Sequence, residues 1–272
     1  MKSPMVYLDA MGKIPAPRSE QQPIQVLQIL SVEDSERCAS LITKNIEKLE
    51  EFGNEFNFAI LHFDGSNEHW KNLSWYNDSS RVVFRCLKPG TKTFQWKKIK
   101  PELVEQYDYV WFSDCDIGLE KFNWPVYRKI LNRSQYLISQ PSVMPSRPGG
   151  RSTDKHWLRF RKGVGLTKIV RTGHRKRSES QTPIISSKCW SLIYEKLLQM
   201  NNRSIWGIQS FWEKLVKNKI LLVHGSPVVH HDTRTLSVNG GKRKLIRIRR
   251  IRNESLRIKK FVETNYKEYI GE

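Results

Sequence analysis

Asp108-Tyr109-Val110-Trp111-Phe112-Ser113-Asp114-Cys115-Asp116-Ile117-Gly118 is the stretch on which the fold of this chain turns. From Tyr107 to Phe112 it is nearly all apolar or aromatic. A strand buried on both faces reads this way, because both rows of its side chains meet other layers. The strand then delivers two carboxylates, Asp114 and Asp116, at its C-terminal end. In open α/β sheets that end is where ligands bind. Two carboxylates this close repel each other unless positive charge lies between or beside them. A hard divalent cation, Mn2+ or Mg2+, meets that need, and diphosphate oxygens of a nucleotide would complete its coordination shell. Such a metal would neutralise a leaving diphosphate as a sugar bond breaks. D-x-D alone is a common pattern that also serves as a solvated loop or a helix cap. Its weight here comes from what precedes it.

Upstream, Ile24 to Leu30 reads as a strand, and Glu33-Asp34-Ser35 as a helix start. Leu41, Ile42, Ile46 and Leu49 recur at helical spacing from Cys38 to Phe52, and Gly53-Asn54 ends that helix. Phe56 to Phe63 is a second strand, closing at Asp64-Gly65, and Arg81 to Leu87 a third. A β-α-β opening predicts a mainly parallel sheet flanked by helices. Phe94 to Gln106 reads as a helix that Pro101 splits or restarts. Downstream, Trp124 to Arg133 is a helix with an early Pro125 and Tyr136 to Gln140 a short strand. Residues 144–180, rich in Pro, Gly, Ser, Arg and Lys, predict a mobile loop with a short strand near Thr167 to Arg171. Ile184 to Met200 reads as a strand end and helix, and Ile205 to Lys217 as another helix. Lys219 to Val229 is a strand interrupted by Gly225-Ser226-Pro227. The expected organisation is a flexible leader over 1–22, one α/β domain over 23–238 and a basic segment over 239–272.

The 272 residues suffice for one large domain, and 38% hydrophobic with 11% aromatic content marks a globular chain. Most of its nine Trp are expected in the core. Net charge is +20 and the sequence pI about 9.9, a surface that attracts polyanions without saying which. Acidic residues cluster at 33–68 and 102–120, around the carboxylate motif. A basic nucleic-acid- or polyanion-binding protein without transferase activity is therefore the alternative reading, although no zinc finger, RRM or helix-turn-helix pattern supports specific nucleic-acid recognition. Cys38, Cys86, Cys115 and Cys189 form no C-x-x-C pair, which argues against zinc and for reduced thiols. The polar N-terminus lacks the apolar core of a signal peptide, and no apolar run approaches a membrane span, so a cytoplasmic, non-secreted protein is expected.

The motif Asp108 to Gly118 resembles that of the domain-of-unknown-function family 707, regarded as glycosyltransferase-like, whose members commonly read Tyr-Asp-Tyr, a hydrophobic stretch and Asp-Glu-Asp-Leu-Gly. His62-Phe63-Asp64-Gly65 with Trp70 and Trp75 is similar to its His-Tyr-Asp-Gly and spaced Trp, Ser139-Gln140-Pro141 to its Ser-Gln-Pro, Trp206-Gly207 to its Trp-Gly-Leu-Asp, and Val229-His230 to its late Val-His. The matches fall in the same order across about residues 24–236. The resemblance implies a GT-A-like fold and transfer of a sugar, hexosyl or pentosyl, from a nucleotide-sugar, UDP-linked most commonly, to a glycan or glycoprotein acceptor. Asp114 and Asp116 would hold metal and diphosphate, with Asp116 the more direct ligand. His230 would be a third metal ligand, with His231 and Asp232 as adjacent competitors. Asp64 would accept a hydrogen bond from base or ribose. Trp206 and Gly207 would shape the acceptor pocket.

Where the family carries an acid after Trp-Gly-Leu, this chain has Gln209. In an inverting enzyme of this type an acid there deprotonates the acceptor hydroxyl, which glutamine cannot do. Gln209 would then only orient a hydroxyl, and Glu213 and Asp232 are the candidate bases; an inactive copy is the other reading. Lys97 and Lys98 follow Trp96 and either contact phosphate or are simply solvated. The basic residues of 147–177, with His156, Arg171, His174 and Arg175, suit a lid over the donor. Cations alternating with aliphatic residues over 241–260 suit peripheral attachment to an anionic membrane.

Overall fold

The computed structural model describes residues 22–133, 136–146, 167–170, 181–199 and 220–231, together with Ser19 and isolated positions between 205 and 216 and between 253 and 260. Strands β1 (Val26–Val32), β2 (Phe56–His62), β3 (Val82–Cys86) and β4 (Tyr109–Asp114) pair parallel in the order β3-β2-β1-β4. Beyond β4 the sheet becomes mixed. It continues through β8 (Ile184–Ser186), β6 (Ile138–Pro145), β9 (Ile220–His230) and β5 (Ile117–Gly118), with β7 (Thr167–Val170) also on β9. β8 runs antiparallel to both β4 and β6, whereas β6 and β9 are parallel. This is the α/β, mixed and mainly parallel-opening sheet the sequence predicts.

Helices cover the faces: α1 (Glu36–Glu50), α2 (Ser74–Asn77), α3 (Lys92–Trp96), α4 (Pro101–Val104), α5 (Trp124–Arg133) and α6 (Ser187–Gln199). α1 starts where its sequence says it should. The Ser35 side chain accepts from the Cys38 amide at 3.2 Å, satisfying one orphan N–H, and Glu36 lies in the positive first turn. Its buried face, Cys38, Ala39, Ile42, Asn45, Ile46 and Leu49, repeats every three to four residues and packs on the sheet. The expected helix over 94–106 is two short ones, because Pro101 has no N–H to continue a ladder and instead opens α4 at its first position. The expected interruption of β9 is a bulge. Between Val223 and Val228 the strand advances five residues while its partner β6 advances two, and Ser226 in the extra length bonds the Asn123 backbone in both directions, at 2.8 and 2.9 Å.

Two cores flank the sheet. One joins α1, α5 and the faces of β1 and β2, the other α3, α4, α6 and the opposite faces of β1 and β4. Trp70, Trp96, Trp111, Trp124, Trp190 and Trp212 are fully buried, so the core reading of Trp holds for these. Burying one such side chain is worth about 2–3 kcal/mol. Ile258, past the expected domain end at 238, is buried in the second core, so that core draws on the basic segment. Glu55 is a buried acid with every demand met: it accepts from the Ile24 amide at 2.9 Å and the Trp124 indole at 3.1 Å, and pairs with Arg128.

Candidate functional site

The parallel strands β1, β2, β3 and β4 end on one edge of the sheet, and the candidate residues gather there. β4 carries Asp114 to that edge, where its amide donates to the Gln181 carbonyl at 3.0 Å. The chain turns through Cys115 and Asp116 into the two-residue strand β5. Asn45, buried on α1, clamps β5 from both sides. Its side-chain amide donates to the Ile117 carbonyl at 2.7 Å, and its oxygen accepts from the Leu119 amide at 2.9 Å. β5 pairs antiparallel with the end of β9, setting Ile117 opposite His230, and the Asp116 carbonyl accepts from the His231 amide at 2.8 Å.

That pairing settles which late histidine meets the motif. His230 Nε2 lies 3.1 Å from Asp116 Oδ2, and both side chains are largely buried. The His231 ring is engaged elsewhere, 2.5 Å from Glu120 Oε1. Gly118 makes room for that contact, since a Cβ there would stand 2.5 Å from His231 Nε2. Asp114 is held by the Lys92 ammonium from the first position of α3. Burial pushes the Asp114 carboxyl above its ordinary value, against the opposing pull of Lys92. The Cys115 thiol between the carboxylates hydrogen-bonds to Cys38 and is partly buried; both effects push it well above its ordinary value, so it stays protonated and is no nucleophile. All four cysteines are free thiols, as their spacing predicts.

Asp64 sits exposed at the end of β2, two strands from β4. Its carboxylate accepts from the Asp34 amide at 2.6 Å and the Ser66 amide at 3.2 Å. Asp34 in turn accepts from the Glu68 and His69 amides at 2.9 and 2.8 Å and from the Ser66 hydroxyl. Burial alone would raise the Asp34 carboxyl, but these bonds hold it far below the carboxylate range. The two acids thus knit the loops after β1 and β2 together. Behind them His62, Trp70, Trp75 and Tyr76 form an edge-to-face cluster, His62 Nε2 lying 3.0 Å from the Tyr76 hydroxyl. The spaced Trp of the sequence pattern are therefore scaffold for this loop pair. Lys97, the expected phosphate contact, is the C-cap of α3, and burial lowers its ammonium. The lysine seen on the motif is Lys92, which sequence reasoning passed over; no periodicity marks it, because only the fold of 87–92 aims it.

Two carboxylates and an imidazole are a hard O and N donor set that suits Mn2+ or Mg2+. Among the described residues no three His, Cys, Asp or Glu side chains already converge as a cation cage. Asp116 and His230 are together, whereas Asp114 is paired with Lys92. Trp206, Gly207, Gln209, Glu213 and Asp232 lie outside the described residues, as do His156, Arg171, His174, Arg175 and the charged run of 241–252. Among the described residues no helix is long and apolar enough to cross a membrane.

No curated protein matches the sequence. Solved structures do match in fold. S. aureus TarS 1-349 in complex with UDP-GlcNAc superposes at a TM-score of 0.53 with 11% identity, over 85% of this chain and 66% of that one. The mannosyltransferase PcManGT from Pyrobaculum calidifontis, in complex with GDP-Man and Mn2+, gives 0.50 with 10% identity over 85% and 65%. The chain spans 60% of TarS 1-349 in another of its crystal structures, and 37% of a longer TarS structure. The fold is thus the GT-A type expected. The family model described as protein of unknown function (DUF707) matches residues 9–270, nearly the full length, and the chain belongs to that family.

Proposed function

We propose that this protein is a glycosyltransferase that takes a nucleotide-sugar, UDP-linked in the first instance, and passes its sugar to a glycan or glycoprotein acceptor. The observation that carries this reading is the pairing of His230 with Asp116, two residues from Asp114, at the C-terminal edge of the sheet, the place where α/β folds bind ligands. The neighbours in fold, one holding UDP-GlcNAc and one GDP-Man with Mn2+, support it. Asp116 and His230, joined by Asp114, would hold Mn2+ or Mg2+, which when bound would neutralise charge on the leaving diphosphate. Asp64 would bind the nucleoside at its exposed edge, and Lys92, beside Lys97 as an expected second cation, would meet the phosphates. Trp206 and Gly207 would line the acceptor side and Gln209 orient the acceptor hydroxyl. Glu213 or Asp232 would take its proton as the hydroxyl displaces the nucleoside diphosphate from the sugar in a single, inverting step. The leader over 1–22 would precede the catalytic domain, and the basic segment over 239–272, which lends Ile258 to the second core, would serve peripheral contact with an anionic membrane at a cytoplasmic face.

The test is a thermal-shift titration with Mn2+ and a panel of UDP, GDP, CMP, ADP and their sugars. A ligand of the native state raises the midpoint by mass action. One nucleotide should stabilise the protein only with metal, and Asp116→Ala should lose the effect. If none does while heparin or RNA shifts the midpoint strongly, the +20 surface is the function and the transferase reading fails.

A further inference from the structure

The contact of Lys92 with Asp114 bears on how the site is loaded. Lys92 is aimed rather than adrift. The Gly90 amide donates to the Phe63 carbonyl at 3.0 Å, tying the segment before it to the end of β2. Thr91 caps α3 by accepting from the Phe94 amide. The Lys92 ammonium lies 5.4 Å over the ring of Trp96, which is fully buried and packs 4.1 Å, centroid to centroid, from Phe112 of β4 itself. The helix carrying the lysine is thus registered against the strand carrying the aspartate. The pair stays partly open, its side chains 24% and 27% exposed, so an incoming anion can reach it.

In this arrangement each carboxylate already has a partner, Lys92 on Asp114 and His230 on Asp116. A dication arriving alone meets an ammonium in its place and is repelled by it. A diphosphate arriving with it offers anionic oxygens to that ammonium, which frees Asp114 for the metal. Resting on the transferase reading above, we infer that Lys92 is the resident counter-cation of Asp114 and makes divalent-cation binding conditional on a nucleoside diphosphate. Lys92 is in this sense a positioning residue, acting through Asp114. The coupling is reciprocal: nucleotide tightens metal by the factor by which metal tightens nucleotide.

The experiment titrates Mn2+ alone, then Mn2+ with saturating UDP or GDP, into the full chain by calorimetry. The proteins are wild type, Lys92→Gln, Lys92→Met, Lys92→Arg and Asp116→Ala, with Lys100→Gln as an exposed loss of the same charge. Removing a partly exposed ion pair should tighten Mn2+ alone about fivefold in Lys92→Gln and Lys92→Met and shrink the nucleotide-metal coupling by the same factor. Lys92→Arg and Lys100→Gln should behave as wild type. Lys92→Met keeps the apolar stem over Trp96 and serves if the glutamine variant folds poorly. Unchanged Mn2+ affinity in the Lys92 variants, with binding lost in Asp116→Ala, overturns this inference and leaves the metal reading standing. Tightening in Lys100→Gln as large as in Lys92→Gln overturns it as a bulk charge effect. Failure of every protein to bind Mn2+, with or without nucleotide, removes the metal reading and this inference together.

Discussion

His230 Nε2 stands 3.1 Å from Asp116 Oδ2, so the last residue of the long strand β9 is joined to the turn that follows β4. Local sequence links neither residue to the other. The contact exists because β5 pairs antiparallel with β9 and Asn45 holds β5 in place.

Removing His230 should therefore act on ligand binding before it acts on folding. His230→Ala is expected to weaken nucleotide-dependent Mn2+ binding at least about tenfold, the usual cost of losing a group that holds or orients a metal ligand. Calorimetry with UDP and Mn2+, beside circular dichroism for the fold, reads this directly. Equal affinity in the variant would place His230 outside the site.

Gly65 tests the corner that aims Lys92. Its φ is +82°, and a Cβ there would sit 2.8 Å from Pro89 Cδ and 3.0 Å from the Leu87 carbonyl oxygen. Gly53 has a similar φ of +83° but open space around the same atom. Gly53→Ala should cost about 1 kcal/mol of backbone strain alone. Gly65→Ala should cost about 2–3 kcal/mol, because steric displacement adds to the strain. Urea unfolding of both variants measures the difference, and equal losses would mean that the 87–90 segment yields freely.

A pH prediction follows from His62. It is fully buried, and burial lowers its pKa below the ordinary 6.5, against the opposing pull of Asp64 and Asp34. Between the folded and unfolded values the unfolded chain binds more protons, so stability rises with pH there. It is intact above about 6.5 and is lost as pH falls toward the lower, folded value. Urea midpoints at about pH 7.5 and about pH 5 should differ less in His62→Gln than in wild type. An identical pH dependence in the two proteins would assign the acid loss to other groups.

Much of the α/β frame was legible because its causes are local. Ser35 and the apolar spacing after it place α1, and Trp124 to Arg133 is a helix with the bounds its pattern predicts. Phe56 to His62 likewise keeps nearly its predicted limits. The carboxylates of Asp114 and Asp116 were legible too, since an apolar strand that ends in acids states its own polarity. The two residues of β5 were not, being too short to show any period. Neither was the insertion of β8 between β4 and β6, because a strand's sequence carries its faces but not its neighbours.

What the sequence by itself determined is the run of elements, their buried faces and the strand end at which the chemistry would sit. The tertiary structure alone decided that His230 rather than His231 meets Asp116, that Lys92 pairs with Asp114, and that Asn45 fixes the turn between them. The physical reason is range. Caps and periodicity act over a few residues, whereas these contacts depend on which strand edges pair and which helix packs against which strand, and the burial of the whole sheet settles that.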